Sequence, residues 1–159
     1  MLFRSEDFVV VEDMATQPRV LHDGRIIEYG PLYRQLHAIS HGKPIVAVTL
    51  ADADYHTPAR LMRLAMAEAV AHDASYLSWP TWPESERSRM ISAVRPQADF
   101  FRAQERWLNE TQPRRDAILL LPFQRWVETN TCVALQLANL LTRSNIQYEV
   151  LSEDSWDLK

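Results

Sequence analysis

The chain has 159 residues, of which 47% are hydrophobic and 24% charged, an ordinary globular composition with enough apolar residues for a real core. Its formal net charge of -4 argues against a nucleic-acid surface, which needs a basic face to displace counterions. No apolar run nears the roughly 20 residues that cross a bilayer, and the start has no signal-peptide centre, so a cytoplasmic protein without membrane or nucleic-acid partners is expected.

In chain order, "DFVVVE" (7–12) is a β-branched run that reads as a buried strand. A helix should follow from Pro31, with Leu32, Leu36 and Ile39 on one face and Gly42 as its left-handed terminator. "KPIVAVTL" (43–50) reads as the second strand, and Thr57-Pro58 as the start of a helix with Leu61, Leu64, Ala65 and Ala69 facing inward. A third strand is expected over Ser75–Trp79. The long amphipathic segment Glu84–Asn109 keeps helical spacing at Met90, Val94, Phe101 and Leu108, and Pro96 should break or kink it. A fourth strand opens at Asp116 in "DAILLLPF". Thr129 or Asn130 then caps a helix with Val133, Leu137, Leu140 and Leu141 inward, and "IQYEVL" (146–151) is the last strand.

Regular alternation of strand and helix predicts an α/β protein with parallel strands joined by helical crossovers. The charge-rich "NETQPRRD" sets a domain boundary near Gln112, with three strands before it and two after. Neither half reads as a complete sheet.

Parallel α/β folds bind ligands beyond the carboxyl ends of their strands. That rim collects Glu12 and Asp13 after the first strand, Asp52, Asp54 and His56 after the second, and Trp79 and Trp82 at the third, with Gln124, Arg125 and Trp126 after the fourth. Each has a plainer reading: the carboxylates also suit helix caps, His56 a loop, and Trp79 a core position. "DADYH" holds metal-ligand types without a metal-ligand spacing, and three glycines leave no phosphate-cradling loop, so neither a metal nor a cofactor is expected. His37, His41 and His72 lie on helices or their ends and read as structural. The lone Cys132 reads as a buried thiol. Carboxylates beside indole platforms suit carbohydrate, whose C–H faces stack on aromatic rings.

"DFVVVEDMATQP" and "AEAVAHDASYLSWPTWP" resemble the closing barrel strands of glycoside hydrolase family forty-two beta-galactosidases and related glycosidase-like proteins. There, a strand ends in the nucleophilic glutamate near a Gln-Pro pair, and a later helix leads to a strand carrying a sugar-site tryptophan. "DAILLLPFQRW" and "VALQLANLLTRSNIQYEVLSEDSWDL" resemble the start of that family's amidotransferase-like trimerisation domain.

The resemblance implies a partial (β/α) barrel over residues 1–111, followed over 112–159 by the beginning of a flavodoxin-like or amidotransferase-like open parallel sheet. It matches Glu12 to the nucleophile, with Asp52 or Asp54 as the fallback, and Trp79 to the aromatic wall. Asp13, His56 and Trp82 join them around a carbohydrate substrate, and a homo-oligomer through the second domain follows from the same likeness. The chain departs from the pattern at Asp73, where the family has glycine, in "SWPTWP", and in an additional helix and strand over Pro31–Leu50. The strand bearing the family's general acid has no counterpart, so a fragment inactive alone is expected; a non-enzymatic α/β module for a small ligand or a subunit contact is the alternative.

Overall fold

The computed structural model describes residues 7–12, 28–52, 59–81 and 83–155. It is an α/β protein with two small parallel sheets. β1 (Val9–Glu12), β2 (Ile45–Asp52) and β3 (Ala74–Thr81) form one sheet in the order β1-β2-β3, while β4 (Ala117–Leu121) pairs with β5 (Tyr148–Ser152) in the other. The helices are α1 (Gly30–Ile39), α2 (Ala59–Ala71), α3 (Glu84–Ala103), α4 (Glu105–Glu110), α5 (Phe123–Thr129) and α6 (Val133–Arg143). Among the described residues no helix is long and apolar enough to cross a membrane.

Two compact units emerge, and neither is continuous in sequence. One comprises Met1–Val9, Tyr29–Ile45 and Gln112–Lys159, and the other Val10–Glu28 and Val46–Thr111. The break at Gln112 coincides with the charge-rich linker. α1, by contrast, belongs with the C-terminal segment.

In the first unit, β4 and β5 run parallel with Leu119 opposite Val150 and Leu121 opposite Ser152. Strand alternation turns Leu119, Leu121, Tyr148 and Val150 to one face, where they form a core with Ile39 of α1 and Ala134 and Ala138 of α6. Arg34 fastens α1 to the sheet: its guanidinium donates to the Tyr148 carbonyl and to Gln147 Oε1 at 3.2 Å, and lies 4.6 Å over the Tyr148 ring. A planar fork of donors that also stacks on an aromatic face does what lysine cannot. α1 starts with Pro31 in its first turn, where a missing N–H costs nothing, and ends at His41 and Gly42, both left-handed (φ 55° and 79°), as expected for Gly42. The opposite face of this sheet leaves Ile118 67% and Leu120 44% exposed.

α6 turns differently from the pattern read in the sequence. Val133, Leu137 and Leu140 are exposed and Leu141 is only partly buried, while Ala134 and Ala138 are buried. Small side chains let the helix backbone lie close to a narrow two-stranded sheet, and the larger leucines cannot occupy that line. Nor does α6 begin at Thr129 or Asn130. Those residues end α5, with Asn130 as its left-handed cap (φ 51°), and Cys132 precedes α6 half-buried at the core edge.

In the second unit, α2 follows β2, β3 follows α2, and α2 packs against both β3 and α3. Met62, Met66, Met90 and Val94 form its helix-side core, with Tyr76 of β3 and Phe101 against it. The inward stripe of α2 is Met62, Ala65, Met66 and Ala69, whereas Leu64 is exposed. Long methionines fill the gap to α3 that leucines on the neighbouring line would miss. The expected helix start at Thr57-Pro58 lies outside the described residues. α3 runs unbroken through Pro96. Proline removes one helical donor, but Ser92 and Pro96 are both exposed, so the carbonyl left without its N–H lies at a solvated position. The break comes later, at Gln104, whose N–H is shared between the Phe100 and Phe101 carbonyls. Leu108, in α4, is exposed. Exposed pairs one turn apart, Arg89–Glu86 at 2.9 Å, Arg102–Asp99 at 3.1 Å and Arg106–Glu110 at 3.0 Å, support these helices weakly.

Asp73, at the turn from α2 into β3, is left-handed with φ 54°. This conformation favours glycine and is tolerated by Asp. Asp73→Gly should raise stability by about 0.5–1 kcal/mol, read as a higher urea midpoint at unchanged slope. Arg34→Ala should lower stability by about 2 kcal/mol by removing charge-assisted bonds to β5, and Arg34→Lys should recover only part of that loss in the same titration.

Candidate functional site

The three strands of the β1-β2-β3 sheet run parallel, so their carboxyl ends lie along one edge. Glu12 is the last residue of β1 and Asp52 the last of β2; Trp79 lies in the closing part of β3, which ends at Thr81. The backbone thus places three of the seven sequence-derived site positions in the closing segments of strands that run the same way. Asp13, Asp54, His56 and Trp82 lie outside the described residues, as do the side-chain surroundings of Glu12, Asp52 and Trp79.

Neighbouring strands sit about 4.8 Å apart, which sets β1 and β3 roughly 10 Å from each other across β2. The Val9 N–H donates to the Pro44 carbonyl at 2.8 Å, and in a parallel ladder this aligns Val9 with Ile45. Continued residue by residue, position 12 is level with Val48, and β2 runs on through Thr49, Leu50 and Ala51 to Asp52, about 13 Å farther at ~3.3 Å per residue. At the backbone, Glu12 and Asp52 are therefore neighbours in strand order but staggered in height. Positions 12 and 79 continue the alternation of Val10 and Leu77, which are 56% and 48% exposed, whereas Ala74 and Tyr76 belong to the alternate, more buried set on β3.

The end of the β4–β5 sheet is built differently. Pro122 closes β4 and leads directly into α5, where the Glu153 carboxylate accepts the Gln124 N–H at 2.5 Å and thereby caps the helix. Trp126 is not a platform at this rim: it meets Phe123 edge-on at 6.1 Å and packs against the core. Arg125 is exposed, and the Gln124 amide donates to Glu128 at 3.0 Å.

One polar cluster escaped the sequence reading. The buried Ser152 hydroxyl donates to Asp154, whose other oxygen lies 3.5 Å from His41 Nε2. With the carboxylate in the middle, serine has no imidazole base, so the order is wrong for a nucleophilic triad. The cluster ties the end of β5 to the turn after α1, and no spacing in the sequence announces it because His41 and Asp154 come from opposite ends of the chain. Among the described residues no group of three metal-ligating side chains converges. No protein-family model, no curated protein and no solved structure matches this chain.

Proposed function

We propose that this chain is the carbohydrate-binding part of a glycoside-hydrolase-like protein, comprising closing strands of a (β/α) barrel and the opening of an amidotransferase-like sheet. The observation that carries this reading is the shared direction of β1, β2 and β3, which points the closing segments that hold Glu12, Asp52 and Trp79 the same way. Ligands gather at that edge in parallel α/β folds because loops and helix N-termini converge there. In this reading Glu12 is the nucleophilic carboxylate and Trp79 and Trp82 stack on the sugar's C–H face. Asp13, Asp52, Asp54 and His56 bond its hydroxyls. Glycoside cleavage also needs a carboxylic acid to protonate the leaving oxygen. In this reading the chain binds sugar and does not by itself cleave it.

The half-exposed Val10 and Leu77 on the same alternation as Glu12 and Trp79 fit strands whose inward face is the wall of a larger barrel. Ile118 and Leu120, exposed on the outer face of the β4–β5 sheet, fit association of the first unit with another copy, since a two-stranded sheet is marginal alone.

Calorimetric titration with methyl β-galactoside should give weak 1:1 binding. Trp79→Ala should weaken it about tenfold, the equivalent of ~1.4 kcal/mol of lost stacking. Absence of binding, or affinity indifferent to Trp79→Ala, would contradict the reading. Light scattering across a concentration series should give a mass above the 18.4 kDa of one chain, falling toward that value in Ile118→Lys/Leu120→Lys; a monomer at every concentration would remove the association proposal.

A further inference from the structure

The second unit holds a cleft distant in chemistry from any sugar site, with a volume of about 360 Å³, bounded by α2, β3 and α3. That volume lies at the lower end of small-molecule pockets. Met62, Val94 and Ala98 give it an apolar floor, and Ile91 extends the floor toward the surface. Three charged side chains of α3 line its mouth: Arg95, Asp99 and Arg102. Asp99 is engaged with Arg102 at 3.1 Å, whereas Arg95 has no ion pair among the described residues. The mouth therefore presents one uncompensated positive charge. On the β3 wall, the Ser78 Oγ is buried and has no hydrogen-bond partner among the described residues. An orphaned hydroxyl facing apolar surroundings costs stability that a ligand oxygen recovers.

We infer that this cleft is a binding site for a small amphipathic anion, a carboxylate on a short aliphatic chain. The single free guanidinium matches one carboxylate, which it takes with two parallel bonds. With Asp99 paired to Arg102, the one net positive charge left at the mouth balances a singly charged group and not a doubly charged one such as phosphate. The methionine, valine and alanine floor takes the alkyl chain, which a polar solute would leave unused. Ser78 supplies a donor to a ligand oxygen or accepts from a protonated one.

The probe is octanoate, titrated calorimetrically into the full chain, with octanamide as its uncharged counterpart and inorganic phosphate as the chainless anion. Octanoate should bind 1:1, octanamide at least tenfold more weakly, and phosphate not detectably. Arg95→Gln, at an exposed helix position that leaves the fold intact by circular dichroism, should weaken octanoate about tenfold, and Ser78→Ala about threefold. Octanoate affinity should be unchanged in the presence of saturating methyl β-galactoside, which separates this site from the proposed sugar rim. No octanoate binding, equal binding of octanamide, phosphate binding in its place, or full affinity in Arg95→Gln would each overturn the inference.

Discussion

Parallel pairing is the constraint from which the arrangement follows. Two parallel strands cannot be joined by a tight turn; the chain must return to the same end of the sheet before the next strand begins, and a helix is the compact way back. α2 makes that return between β2 and β3, and α5 with α6 makes it between β4 and β5. Every strand of a sheet then presents its carboxyl end to the same edge. Glu12, Asp52 and Trp79 come from segments far apart in sequence, and strand direction points their strand ends the same way while register sets their heights apart.

Chain neighbours are not packing neighbours in this molecule. α1 lies between β1 and β2 in sequence, yet it packs chiefly against β5 and α6. The β4–β5 pair is too small to bury a core by itself, and α1 supplies a second cover for the face that carries Leu119 and Val150. Arg34 makes the attachment specific rather than merely apolar, because its fork reads the Tyr148 carbonyl and the Gln147 amide together. The Asp154 carboxylate, shared between Ser152 and His41, ties the same two segments at the other end of the helix.

The α/β alternation and the strand positions were legible because β-branched runs and helical spacing are local signals. Helix rotation was not. α6 is apolar on most of its surface, so hydrophobicity alone does not choose between the leucine line and the Ala134–Ala138 line; the sheet chooses the smaller one. α5 was hidden because Pro122 and Phe123 read as the end of a strand, although a proline without an N–H serves as well before a helix. Pro96 was overread, since its effect depends on whether the orphaned carbonyl is solvated. Of the site, strand ends were legible and heights were not: the Val9–Pro44 bond that staggers Glu12 below Asp52 is a matter of register, which composition does not encode. The cleft at Ser78 depends on three elements meeting and leaves no mark in any one of them.

The proposed sugar site lies at the carboxyl ends of β1, β2 and β3. Backbone hydrogen exchange with and without saturating methyl β-galactoside tests it directly. Protection confined to peptides spanning Glu12, Asp52 and Trp79 is the predicted result. Protection at β4–β5 and α5 instead, or no change anywhere, would contradict it.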